Sequence, residues 1–193
     1  QMKKLKFKYK INYINLNKIK LKNMNNKKIN LIDINFNFKK PFAKISSNSR
    51  GYISKSIDVA LNLIKKEKIK TLINGPISKP FFLNKKFPGM TEYFSFKTKS
   101  SGKEVMLIYN ENLSVSPLTT HLPLKKVFKK ISKIKLINQV KTINNFFKKD
   151  LKINPKIAIT GLNPHCESTD SVSEEDKIII PAIKILKKNR VNV

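Results

Sequence analysis

Cysteine, histidine, arginine and tryptophan are all scarce or missing in this 193-residue sequence, and the shortages of cysteine and arginine each weigh against a class of function. The single cysteine, Cys166, cannot form an internal disulfide, so the chain is not a disulfide-stapled scaffold. It suits a reducing compartment, and the expected location is the cytoplasm. No apolar run approaches the roughly 18 residues that a membrane-spanning helix needs. The lysine-rich start is not followed by an apolar h-region or a small-residue cleavage site, so no secretory signal is read there. The chain opens on Gln1 rather than Met, which leads us to expect a true start further upstream.

Arginine occurs only at Arg50 and Arg190, although Lys and Arg together number 41 and the formal net charge is +29. Proteins that read bases and phosphates favour arginine for its planar, two-pronged donor geometry. The lysines are also spread along the whole chain among many asparagines and isoleucines. Those three residues share A/T-rich codons, so a biased genome accounts for the charge without a nucleic-acid partner. A lysine-rich nucleic-acid-binding protein is kept as the alternative from another class. It predicts one continuous basic face with stacking aromatics.

Hydrophobic residues make up 40% of the chain, enough for a globular core. Residues 1–28 are Lys/Asn-rich, with one short strand around Lys10–Asn15, and Ile29–Ile34 is a second strand candidate. Ser47, Asn48 and Ser49 offer N-cap oxygens to a helix from Tyr52 to about Lys66, in which Ile53, Ile57, Ala60, Leu61 and Ile64 recur at helical spacing. Ile69–Ile73 reads as a short buried strand ending in the turn Asn74-Gly75-Pro76. Val105–Tyr109 and Leu113–Leu118 read as a hairpin around Asn110-Glu111-Asn112. A helical stretch follows Pro123, then a longer helix over Lys133–Lys148 with Ile134, Ile137, Val140 and Phe147 as its apolar face. Lys156–Thr160 is a further strand. Ser173-Glu174-Glu175-Asp176 opens a last helix, with serine as the cap and acids in its first turn. Helices alternating with strands and glycine turns predict an α/β fold. Phe87-Pro88-Gly89 is the expected crossing between a first domain over 1–86 and a second over 87–193.

The two histidines, His121 and His165, each stand just past the end of a predicted strand. Ligands in α/β sheets bind outside the carboxyl ends of the strands, and two imidazoles at that edge can share a divalent ion. Their spacing carries no signal of its own, and two unrelated loop residues would look the same. Asn74-Gly75-Pro76-Ile77-Ser78-Lys79 lacks the Walker spacing and reads as an ordinary strand-to-helix turn. Cys166 reads as a bystander, and Glu167, Asp170, Glu174 and Glu175 as the solvated entry to a helix.

The order of four motifs goes further. Gly75-Pro76-Ile77-Ser78-Lys79, Pro88-Gly89-Met90-Thr91-Glu92-Tyr93-Phe94, Thr119-Thr120-His121-Leu122-Pro123-Leu124 and Gly161-Leu162-Asn163-Pro164-His165 together resemble the 4-hydroxythreonine-4-phosphate dehydrogenase family of vitamin B6 biosynthesis. The likeness runs from about Ile29 to the end, and the sequence resembles the middle of the family's chain, lacking both its ends. The resemblance implies a two-domain α/β/α architecture like that of the isocitrate and isopropylmalate dehydrogenases, incomplete here, and a cytoplasmic homodimer at full length. It implies NAD and a divalent metal ion of the zinc, magnesium or cobalt class, held by three histidines. Two of these match His121 and His165; the third belongs to a block expected beyond Val193.

The substrate implied is 4-phosphohydroxy-L-threonine, a small phosphorylated hydroxy-amino acid, oxidised at its hydroxyl and then decarboxylated. Thr91 matches a substrate-binding threonine. Met90 stands where the family usually has a substrate-binding histidine, and a thioether is a weak acceptor. That departure keeps two alternatives open, a dehydrogenase of a phosphorylated four-carbon acid such as threonate phosphate, and a non-catalytic relative. With two of three metal histidines, the chain alone is expected to be inactive.

Overall fold

The structure is a computed structural model that describes residues 8–16, 24–38, 40, 42–163, 166 and 173–193. The chain is α/β, and it divides into two compact units, Gln1–Met90 and Thr91–Val193. The Phe87-Pro88-Gly89 break lies directly ahead of the dividing point.

In the first unit, β1 (Ile11–Ile14) and β2 (Ile29–Ile32) pair in parallel, Ile11 opposite Ile29. The paired asparagines Asn12 and Asn30 join side chain to side chain at 2.9 Å across the pair. A single turn over Ser47–Ser49 leads into α1 (Arg50–Glu67). The expected side-chain cap on α1 is absent: Ser49 stands at its N-cap position without a capping bond, and a serine oxygen caps the preceding turn instead. Ser46, not Ser47 or Ser49, accepts a hydrogen bond from Asn48 N, at 3.4 Å. Helix α1 ends on Lys68 in the left-handed conformation, φ 54°, where glycine is the usual residue. The short α2 (Lys79–Leu83) is tied to α1 by Arg50 Nε, which donates to Phe81 O at 3.0 Å.

Ile69–Ile73 departs from expectation. The segment has no ladder partner among the described residues, and Ile73 is 89% exposed. A strand becomes buried when neighbours occupy its edges and a layer covers its faces, and among the described residues neither is in place.

The second unit opens with α3 (Met90–Lys97), whose first residue still belongs to the first unit. The expected hairpin is present as one antiparallel bridge, Ile108 N donating to Val115 O at 2.8 Å and Val115 N to Ile108 O at 2.9 Å. The short α4 (Leu124–Val127) follows Pro123, then α5 (Lys133–Phe146), capped by Ser132, which accepts from Lys135 N at 3.3 Å.

The buried face of α5 is Leu136, Val140 and Asn144, with Ile137 packed beside it, whereas Ile134, assigned to the apolar face from its spacing, is 70% exposed. Leu136 and Val140, four residues apart, share the face that packs in the core, whereas Ile134, two residues before Leu136, projects roughly 200° away around the helix, and α6 (Ile180–Lys188) follows in the chain. A wide π turn over Glu175–Ile179 precedes α6. It lies just ahead of Pro181, which has no N–H for the regular helical bond. Leu136, Val140, Ile179, Ala182, Leu186 and Val191 form the core.

Lys156–Thr160 also lacks a ladder, apart from Ile157 N donating to Asn192 O at 3.0 Å. It keeps strand-like alternation all the same: Ile157 and Ile159 pack on the core while Ala158 and Thr160 face out. Leu118 packs on the same core. Two core-anchored segments therefore lead outward, one toward His121 and the other into Gly161-Leu162-Asn163. Among the described residues, no helix is long and apolar enough to cross a membrane.

Candidate functional site

Gly89 is buried, and the chain turns there into α3, placing Met90 half-buried and Thr91 exposed in the first turn. Glu92 follows, where a negative charge suits the helix N-terminus. Further along the helix, Ser95 Oγ donates to Glu104 Oε2 at 2.7 Å. Partial burial works against ionising Glu104, but the Ser95 hydroxyl and the backbone N–H groups of Glu104, Gly102 and Lys103 prevail, and its pKa lies below the ordinary carboxylate value.

The segment carrying His121 is fixed from α5. Gln139 Nε2 donates to Ser116 Oγ at 2.8 Å and to Pro117 O at 3.0 Å, and Ser116 Oγ in turn donates to Met106 O at 2.6 Å. Thr119 and Thr120 are half-buried, and His121 emerges exposed with φ 54°. Left-handed backbone is uncommon outside glycine, with histidine among the residues enriched in it. Thr120 Oγ1 donates to Glu92 Oε1 at 3.4 Å. That contact links the helix turn carrying Thr91 to the loop carrying His121.

The second loop leaves the core at Ile159. Leu162 N donates to Glu175 Oε1 at 2.8 Å, and Cys166 N to Asn163 O at 3.1 Å. A Cβ on Gly161 would run into Cys166 Sγ and lie 3.0 Å from Glu175 Oε1, so close approach favours glycine here. Glu175 is buried rather than part of a solvated helix entry, which corrects the sequence reading. The Leu162 N–H, foremost, and the Glu175 N–H outweigh desolvation and hold its pKa below the ordinary value. Ser173 caps the turn as expected, accepting from Asp176 N at 3.1 Å. His165, Glu167 and Asp170 lie outside the described residues.

The structure thus brings the surroundings of Thr91 and His121 together, while the pairing of His121 with His165 is not among the described geometry. Among the described residues no three His, Cys, Asp or Glu side chains gather to hold a metal. His121 fits such an ion in donor chemistry, since imidazole binds borderline divalent metals and its side chain is exposed. The Asn74–Lys79 turn is exposed over Asn74–Pro76 and offers no enclosed anion cradle. From the sequence, Glu92 was given no role and Glu175 only that of a solvated acid at a helix entry. A capping serine ahead of Glu175 explains an acid there equally well, and contact with a distant loop leaves no local signature.

A family model described as pyridoxal phosphate biosynthetic protein PdxA matches residues 1–193. A 4-hydroxythreonine-4-phosphate dehydrogenase of Sulfurihydrogenibium sp. is 34% identical over 169 residues, covering 86% of this chain and 51% of its own. Its counterpart in Aquifex aeolicus is 31% identical over 194 residues, covering 95% and 57%. The chain therefore spans about half the length of the curated relatives it matches. Among solved structures, a 4-hydroxythreonine-4-phosphate dehydrogenase from Burkholderia phymatum superposes with a TM-score of 0.77 at 24% identity, over 100% of this chain and 59% of that one. The Klebsiella pneumoniae enzyme gives 0.73 at 21%, over 96% and 57%. These likenesses establish the fold.

Proposed function

The chain belongs to the PdxA family of pyridoxal phosphate biosynthetic proteins, and on that premise we propose that it supplies the metal-binding and substrate-binding loops of an NAD-linked dehydrogenase of 4-phosphohydroxy-L-threonine. His121, together with His165, would hold a divalent ion of the zinc, magnesium or cobalt class. Thr91 would bind the substrate, with Met90 beside it at the mouth of α3. When bound, the ion supplies Lewis acidity toward the substrate hydroxyl, and NAD accepts hydride. The lysine-rich surface favours the approach of a phosphorylated, anionic substrate. We place the protein in the cytoplasm and, at the relatives' full length, in a homodimer.

The observation that carries this reading is the placement of His121. Its imidazole is exposed at the end of a segment anchored on the core through Leu118 and through Gln139, one hydrogen bond away from the helix turn that presents Thr91. Two imidazoles fall short of the roughly three protein ligands usual at a catalytic site. Turnover is therefore assigned to a protein of the relatives' full length, and this chain by itself is expected to bind the ion without reducing NAD.

Calorimetric titration of the chain with Zn2+ tests the reading. Binding that is lost on His121→Ala and on His165→Ala supports it; binding indifferent to both substitutions overturns it. A second reading, oxidation of a phosphorylated four-carbon acid without the amino group, is favoured by Met90 alone. Comparing NAD reduction by the full-length protein on the two substrates separates them.

A further inference from the structure

Glu92 presents an anomaly. Its Oε2 is buried without a hydrogen-bond partner among the described residues, while its Oε1 accepts from Thr120. A buried carboxylate oxygen without a partner costs free energy, and the favourable placement of a negative charge in the first turn of α3 would be served equally by a fully solvated acid. The inward placement of this acid points to what it holds.

What it holds is the end of the histidine segment. Ser116 and Pro117 are fixed from α5 by Gln139, and Leu118 by the core. Past Leu118 the backbone enters the left-handed conformation at His121, φ 54°, which persists in a non-glycine residue when its surroundings over-determine it. The side-chain hold reaching this stretch is Thr120 Oγ1 to Glu92 Oε1. At 3.4 Å it is long for a hydroxyl–carboxylate bond, as active-site hydrogen bonds often are before a ligand tightens them. Glu92 is also the immediate neighbour of Thr91 in the first turn of α3.

We propose that Glu92 is a positioning residue: through Thr120 it sets the backbone of His121 and couples that histidine to the helix turn presenting Thr91. The proposal rests on the reading of His121 as a metal ligand. Partners that orient a ligand typically change metal affinity by about 10–100-fold when removed.

The test uses the 193-residue chain and two readouts. The first, without metal, is the imidazole 1H–15N spectrum, which holds the signals of two histidines. The second is Co2+ affinity from its visible absorption. Glu92→Ala and Thr120→Val are each expected to move the His121 signals, leave those of His165 in place, and weaken Co2+ binding about 10-fold. Combining them should add nothing further, because both break one contact. Glu92→Gln keeps a carbonyl acceptor for Thr120 and should restore most of the affinity, a rescue that bulk stabilisation would not give.

Unmoved His121 signals in folded Glu92→Ala and Thr120→Val chains, additive losses, or a Gln variant as weak as the Ala variant would overturn the proposal. If Glu92→Ala does not fold, Thr120→Val alone decides it. Co2+ affinity that survives His121→Ala sinks the metal-ligand reading instead, and the metal-free spectra then judge the coupling of Glu92 to His121 separately.

Discussion

Glu175 Oε1 accepts a hydrogen bond from the backbone N–H of Leu162 at 2.8 Å, fastening the turn ahead of α6 to the loop that leaves the core after Ile159. The contact joins positions 13 residues apart in sequence. It works in the ionised state, since an ionised acceptor makes the stronger bond to a peptide N–H.

That dependence sets a pH signature. The Glu175 pKa in the folded chain lies below the ordinary value of 4.5, mainly through the Leu162 N–H. A carboxylate with a depressed folded pKa contributes stability that is present above its unfolded pKa and lost as pH falls through the folded one. Thermal melts of wild type and Glu175→Gln should therefore differ most at neutral pH. The gap should close as the pH falls below 4.5 toward the folded value. A gap independent of pH over that window would mean that the charge of Glu175 has no part in the bond.

Gly161→Ala tests the same corner by volume. The new Cβ meets Cys166 Sγ, an exposed side chain that can turn aside, and Glu175 Oε1 at 3.0 Å, which is pinned by Leu162. Overpacking of this kind costs about 1–3 kcal/mol. In urea melts Gly161→Ala should be destabilised by that order in the wild-type background. The loss should be smaller when Glu175 is already Ala, because the pinned atom is then gone. Equal losses in both backgrounds would place the clash elsewhere.

Much of the fold was legible because its signals are local. The α1 stripe, the helix read over Lys133–Lys148, the serine at position 173 and the two short strands around Ile11 and Ile29 each carry their periodicity or cap within a few residues. Ile69–Ile73 and Lys156–Thr160 read as strands for the same local reason, but a ladder depends on neighbours, and among the described residues those neighbours are missing. The histidine loops were found by motif order, since spacing alone said little about His121 and His165. Glu92 was quoted within a motif yet given no role: its contact with Thr120 spans 28 residues, and no local pattern encodes it.

Helix α5 separates periodicity from packing. Helical spacing groups Ile134 with Ile137 and Val140, but Ile134 is 70% exposed while Leu136 is 6% exposed within the core. Leu136→Ala should destabilise the chain by about 2–5 kcal/mol. Ile134→Ala should fall within roughly 0.5 kcal/mol of wild type, as surface substitutions do. Denaturant midpoints of the two variants check this, and comparable losses would mean that Ile134 is covered in solution.

The left-handed residues offer a last contrast, between strain at a helix end and strain at the proposed metal ligand. Lys68 ends α1 at φ 54°, and His121 has the same φ. For a non-glycine residue that conformation costs roughly 1–2 kcal/mol, and glycine removes most of the penalty. Part of the gain is offset by the greater freedom glycine gives the unfolded chain, about 0.4–1 kcal/mol. Lys68→Gly should therefore raise stability by a few tenths to about 1 kcal/mol and leave Zn2+ binding as it was. His121→Gly should give a comparable rise in melting temperature and abolish Zn2+ binding, whereas His121→Ala should lose binding with no gain in stability. A stability gain coupled to loss of function identifies strain retained at a working position. If His121→Gly instead destabilises the chain, the imidazole itself supports the loop, and the residue is part of the fold's own framework.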